Sequence, residues 1–429
     1  MKALNGITAS RRSERRSRLI DRMQPAFGFK TKQTISEGPM IMISIRFVSR
    51  HPTPLWCLSI TLCLCLLGLS LPASAQEYHI VAFDVPGAGT TPGASGCASG
   101  FPITNCYGTT PMANNNAGEI VGTYLTDDGV YYGFLRSPQG NVTKLSEPNA
   151  DTTPRHLNGT YPVSLNSWGA VTGAYQMTDE VFHGFIREPN GHYIEVDDPA
   201  AGTAAHQGSW PSTINDKGEV AGFYWDASNG VHGFIRSSQG EFTTVDGPGA
   251  DNGTYIALEQ GLNNRGAVAG WYNVGSASYG LVREPNGRLI TVAPLPSSPF
   301  TLVGGINPAG DVAGYFGNPT GSVPFVSGFL QKSDGATTIF NVPGAPATNA
   351  FTLNSRDEVT GIAGDANHLF ASHGFIGFAN GYIKTFDAPN AGTGEFQGTR
   401  PTTINDYGQV VGWVLDANNV AHGFIFSRR

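Results

Sequence analysis

From residue 78 onward, apolar and polar positions alternate in short runs, and the runs recur with a period of 46 to 51 residues. Three markers carry the period. A Gly before an aromatic or large apolar residue falls at Gly133, Gly184, Gly233, Gly280, Gly328, Gly374 and Gly423. An Asn followed three residues later by Gly gives Asn115, Asn166, Asn215, Asn263, Asn307 and Asn405, with Asn354 in register but Asp357 in place of the Gly. A Gly inside an apolar run gives Gly122, Gly173, Gly222, Gly270, Gly314, Gly361 and Gly412. All three markers count seven copies, and a period of 20 to 50 residues sets an architecture before any local reading does.

One copy shows the pattern. Ser212–Asn215 reads as a short strand, Asp216–Gly218 as a tight turn and Glu219–Trp225 as a second strand. Val231–Arg236 is a third, Ser238–Gly240 another turn and Glu241–Asp246 a fourth. Alternation, β-branched and aromatic enrichment, and Gly or Asn at the turns predict a four-stranded antiparallel meander. Such units bury both faces only by packing in a ring, so the expected fold is all-β, a single seven-bladed β-propeller of four-stranded antiparallel blades. Phase supports closure: Tyr78–Gly87 reads as a fourth strand without its first three, and Ala421–Phe426 as a third strand without its fourth. Pairing of the N-terminal strand with the C-terminal blade would leave no open edge. Glycines inside strands predict close approach of a neighbouring blade, with Phe134, Phe185, Phe234, Phe329, Phe375 and Phe424 filling that contact.

Composition agrees: 56 Gly and 28 Pro with only 14% charged residues suit strands and turns and disfavour helix. The segment before the repeats is different. Leu55–Leu71 is apolar, with Arg46 and Arg50 before it and Ala73-Ser74-Ala75 after it, which predicts a signal peptide over 46–75 cleaved before Gln76. An uncleaved membrane anchor is the competing reading. Residues 1–45 are either a disordered basic extension or precede the true start, since Met40 and Met42 would each begin a leader of ordinary length. Residues 76–429 are then the mature propeller, secreted or periplasmic.

Residues 1–56 hold 11 of the 26 basic side chains, which leaves the repeat region strongly acidic. That balance excludes nucleic acid and anionic lipid as partners, because both need clustered positive charge. Cys57, Cys63 and Cys65 depart with the leader, so the mature chain keeps Cys97 and Cys106, nine residues apart, as one expected disulfide.

The His-Gly-Phe-Ile segments, the Asp-x-Pro-Gly-Ala stretches and Ile-Asn-Asp-x-Gly-x-Val-x-Gly together resemble the bacterial extracellular HAF repeat family. The resemblance covers residues 78–429 and is best over Ile214–Gly222 with His232–Ala250, and over Ile404–Gly412 with His422–Ile425. Tyr132, Tyr279 and Ser327 replace the signature His, and Ala293-Pro294-Leu295 replaces Asp-x-Pro. What it implies is an exported repeat protein; it adds no chemistry.

The recurrent His183, His232, His373 and His422 are read as structural, bonding within or between blades, and Asn215 and its equivalents as turn formers. Asp84, Asp246 and Asp387 are expected to stabilise the Pro-Gly turns that follow them. The chain lacks a Gly-x-Ser-x-Gly elbow, a His-Glu-x-x-His motif and an EF-type loop, and Asp127-Asp128 and Asp179-Glu180 read as solvated loop tips. No metal or cofactor is implied, nor a second copy of the chain. The longer, variable loops between strands two and three and between successive blades mark the functional face. Five residues before the marker Asn, at the entry to the innermost strand, stand Tyr161, Trp210 and Arg400, where other copies have Thr110, Leu258, Leu302 and Asn349. Aromatic rings and Arg there suit a sugar ring, peptide or carboxylate, with His206 and Gln207 beside them. The expected function is an extracellular binding module for a carbohydrate or protein ligand; a polysaccharide hydrolase or lyase and a structural envelope protein are the alternatives.

Overall fold

The computed structural model describes residues 78–94, 97, 105–318, 324–365 and 371–428. The basic extension and leader read from the sequence lie outside them. The chain is all-β, with no α-helix among the described residues. No helix there is long and apolar enough to cross a membrane.

Strand pairing divides the chain into seven antiparallel four-stranded units, over 108–145, 160–195, 208–245, 254–292, 301–340, 348–386 and 398–428. The seventh contributes three strands of its own and takes Tyr78–Phe83 as its fourth, paired over six residues with Ala421–Arg428. In unit 3 the strands are Gly208–Ile214, Val220–Trp225, Val231–Arg236 and Phe242–Val245. The first strand thus starts four residues earlier than the sequence reading. That strand includes Pro211, and its register shifts between Pro211 and Thr213. A bulge is where a residue without N–H is tolerated. Pro111, Pro162 and Pro401 sit at the same bulge in units 1, 2 and 7.

Neighbouring units meet through apolar side chains. Phe185 of unit 2 packs on Val121 and Leu145 of unit 1, Phe234 of unit 3 on Ile186 and Val196 of unit 2, and Phe134 of unit 1 on Val411 of unit 7. The strand-three glycines make this contact close. A Cβ on Gly184 would lie 2.5 Å from Pro211 of unit 3, and one on Gly423 would lie 3.0 Å from Pro111 of unit 1. Any larger side chain would force the units apart.

A polar chain follows the same path. The Oδ1 atom of each marker Asn accepts backbone N–H groups of its own turn, as Asn215 does from Lys217 and Glu219. Its Nδ2 then donates to the backbone carbonyl of the next unit's Asn. The donors run Asn115 to Asn166, Asn166 to Asn215, Asn215 to Asn263, Asn263 to Asn307, Asn307 to Asn354, Asn354 to Asn405, and Asn405 back to Asn115. The distances are 3.0 to 3.4 Å, and all seven side chains are buried.

The histidines bond within their units, as expected, but their partners correct the reading of the aspartates. His183 Nδ1 meets Asp197 at 2.6 Å, His232 meets Asp246, His373 meets Asp387, and His422 meets Asp84 across the seam between the chain's two ends. The turns after these aspartates close through backbone, as in Ala88 N to Val85 O. Two of them also stack on an aromatic ring where the strands pair, Tyr175 on His183 and Tyr224 on His232, whereas His373 and His422 pair with Ala363 and Val414.

Asn215→Ala removes four bonds and strands buried backbone groups, so the expected loss is about 2–4 kcal/mol by chemical denaturation. Lys217→Ala, exposed on the same turn, should stay within about 0.5 kcal/mol; equal losses would refute the Asn chain as a stabilising element. The pKa values of His183 and His422 are raised chiefly by their Asp bonds, and at His373 the pull of Asp387 and Asp365 outweighs burial. The protonated form is thus favoured on folding. Its contribution is full below about pH 6.5 and is lost as pH rises through the raised folded values. Replacing these three His by Gln should flatten the fall in melting temperature with pH over that range; an unchanged slope would show that the pairs do not titrate with folding.

Candidate functional site

The first strands of all seven units border a common space. At the end carrying the Asn turns it is a cavity of about 170 Å³ lined by Asn115, Asn166, Asn215, Asn263, Asn307, Asn354 and Asn405. A second cavity, of about 300 Å³, lies toward the opposite, variable-loop end and is lined by units 4 to 7. Its walls are Trp271, Tyr315, Phe351, Trp413, Leu258 and Leu302, and its charged groups are Glu259 and Arg400. Glu259 borders both cavities.

What separates them is a departure of unit 4 from the repeat. Tyr255 pairs with Trp271 and Ile256 with Gly270, the positions that Trp210 and Pro211 hold opposite Phe223 and Gly222 in unit 3. Between Ile256 and Leu262 the chain has five residues, Ala257–Gly261, where unit 3 has only Ser212 and Thr213. This insertion replaces the bulge and crosses the central space. Glu259 donates its N–H to Ser212, and its carbonyl accepts from Ser164 and Thr213. Gln260 accepts from the Ile306 and Leu353 N–H groups and donates to the Ile404 carbonyl. Five other units therefore hold two residues of unit 4. Those bonds also hold Glu259 at φ 61°, a left-handed conformation uncommon outside Gly.

Leu258 therefore is not the counterpart of Trp210, as even spacing suggested; Tyr255 is, and the insertion displaces the count by three. Tyr161 and Trp210 are each 1% exposed, stacked on one another at 5.8 Å, with Phe182 edge-on to Trp210. They fill the central space on the side of units 1 to 3 and present no open ring face. Arg400 does line the second cavity. Its guanidinium lies 5.2 Å from the Trp413 ring, its Nη2 donates to the Phe396 carbonyl at 3.4 Å, and its Nε has no hydrogen-bond partner among the described residues. Burial pushes its pKa down to about 10. His206 stands apart on an exposed loop beside Glu180, while the Gln207 amide is buried and bonds Asn229.

Sequence reasoning missed Glu259, Trp271, Tyr315 and Trp413. The three aromatics each follow the strand-two Gly, at the position paired with the one singled out on the first strand, as in Arg400 with Trp413 and Leu302 with Tyr315. That pairing was a usable signal. Glu259 is enclosed by protein while keeping part of its surface open to the cavities, and its carboxyl group accepts no hydrogen bond among the described residues. Burial alone raises its pKa to about 8. At neutral pH the second cavity thus holds one cation and a largely neutral acid.

Elsewhere, His183, Glu195 and Asp197 bring ligand atoms within 4.8 Å of one another. His183 Nδ1 is taken by Asp197, and Asp197 raises the Glu195 pKa. Asp127, one of the loop-tip acids, accepts from the Thr90 and Thr91 N–H groups. Cys97 and Cys106 form a disulfide, of the kind that persists in oxidising compartments.

No family model matches the sequence, and no curated protein matches it. Among solved structures, a puromycin hydrolase is 13% identical over 77% of this chain, with a TM-score of 0.43. This chain spans about half of that enzyme, 53% of its length. The BP39L lectin from Burkholderia pseudomallei is 10% identical over 71% of this chain and 91% of its own, with a TM-score of 0.40. A fungal lectin from Aleuria aurantia, described as a six-bladed β-propeller with a fucose recognition mode, is 9% identical over 64% of this chain and 92% of its own, at a TM-score of 0.36.

A carboxyl group with a raised folded pKa binds more protons in the folded state, so its contribution to stability falls as pH rises from about 4.5 to about 8. Glu259→Gln should match wild type near pH 4.5 and exceed it above pH 8, by up to roughly 5 kcal/mol. Urea denaturation at both pH values checks this; a variant less stable than wild type at pH 9 would mean that the ionised carboxylate is satisfied.

Proposed function

We propose that the chain is an exported binding module, built as one seven-bladed β-propeller, that takes part of a carbohydrate or protein ligand into the Arg400 cavity. The closed chain of seven Asn side chains and the composite seventh unit support the ring. The resemblance to the extracellular HAF repeats and the disulfide support export. The observation that carries the binding role is Arg400, a guanidinium with an unpartnered Nε held against Trp413 inside an aromatic-walled cavity. Native proteins rarely leave a buried donor unmet, and one beside an aromatic-walled cavity is explained by a ligand that meets it. A volume of about 300 Å³ is at the small end of cavities that hold small molecules, so it suits one ring or side chain of a larger ligand.

Binding is favoured over hydrolysis by what surrounds Glu259. A carboxylic acid that keeps its proton at neutral pH is a candidate general acid. Glycoside hydrolysis most often needs a second carboxylate beside the first, and the second cavity's lining supplies none. A purely structural role would leave Arg400 without a reason to be enclosed. A thermal-shift screen of the purified protein against oligosaccharides and peptides is the test. A ligand that raises the melting temperature of wild type, and does so at least tenfold less potently in Trp413→Ala, is expected; shifts that survive both Trp413→Ala and Arg400→Met would move the site away from this cavity.

A further inference from the structure

The cavity's few polar groups indicate the chemistry of what enters it, an inference that rests on the binding-module reading and adds the ligand's class. Its aromatic walls are Trp271, Tyr315, Phe351 and Trp413. The Thr402 hydroxyl at its edge is already engaged with the Pro111 and Val411 carbonyls. A ring bearing many hydroxyl groups would find almost no partners here, and buried polar groups without partners are costly. The cavity's charged donor is Arg400, and Arg forks match a carboxylate with two parallel bonds. Glu259 lines the same cavity without an ion pair to Arg400, so among the described residues the cation has no counter-anion.

We propose that this cavity is a receptor for an apolar carboxylate, an aryl or short alkyl body lying among the aromatic walls with its carboxylate on Arg400. Two sources share that chemistry: a free small organic acid, and the C-terminal residue of a peptide ending in an apolar side chain. Rigid aromatic walls and a guanidinium already stacked on Trp413 reduce the ordering that binding requires. The insertion at Glu259 and Gln260 bounds the cavity toward the Asn turns, which limits the depth of any ligand.

The test is calorimetric titration of the purified protein at pH 7 with 3-phenylpropionate and with its uncharged amide, followed by acetyl-Ala-Phe as acid and as amide, and by glucuronate and a neutral oligosaccharide. The expected result is at least tenfold tighter binding of each apolar acid than of its amide, with that preference lost in Arg400→Met. The wild-type comparison decides the matter even if the variant fails to fold. Tighter binding of the peptide acid than of 3-phenylpropionate assigns the site to chain ends, and the reverse order to free acids. Equal binding of acid and amide overturns the proposal. If the neutral oligosaccharide binds and neither apolar acid does, the carboxylate inference falls while the binding module stands; if nothing in the series binds, both fall.

Discussion

The architecture depends on one repeated asparagine. Its carboxamide has two ends, and both are used: the oxygen closes a turn within one unit, and the nitrogen reaches the backbone of the next. A hydroxyl cannot do both with the same reach, and a carboxylate has no donor for the second task. Because the seventh donor returns to Asn115, each unit's position is constrained from both sides. The chain of bonds is buried, so losing a member would leave orphaned groups in its neighbours as well as in itself. Apolar packing between units supplies the area, while the asparagines set the register.

The chain's two ends complete the arrangement by sharing a unit. Tyr78–Phe83 pairs along the last strand, and the His422–Asp84 contact joins residues 338 apart in sequence. Units 2, 3 and 6 make the same His–Asp contact over 14 residues. The seam is therefore built with the same parts as the interior of a unit, and neither strand is left with an unpaired edge on that side.

Chemistry arises where the repeat is broken. Seven equal units would enclose a symmetrical space with nothing to distinguish one side. The insertion Ala257–Gly261 divides that space, Tyr161 and Trp210 fill one side of it, and Arg400 with Trp413 and Trp271 lines the other. The same insertion places Glu259 where burial keeps it protonated, leaving Arg400 as the cavity's charge at neutral pH. The acidic exterior and this enclosed cation act at different ranges: the exterior field is screened within about 10 Å in ordinary salt, whereas an enclosed charge is screened much less.

The all-β class, the four-stranded antiparallel units, the pairing of the chain's two ends and the structural role of the histidines were legible in the sequence, because they repeat. Repetition averages out local ambiguity: a Gly or Asn recurring at the same place seven times cannot be accidental. The candidate site was legible only at Arg400. Tyr161 and Trp210 share its position on the repeat, yet which of the three side chains is buried by its neighbours and which faces a cavity is decided by units far away in sequence. Glu259 was invisible for the same reason. Its residue type says acid, and only the enclosure created when five other units bond its segment makes it a neutral one. Sequence alone determined the elements that repeat, through local propensity and period; tertiary structure decided burial and charge at the centre, because those depend on the summed contacts of all seven units at one place.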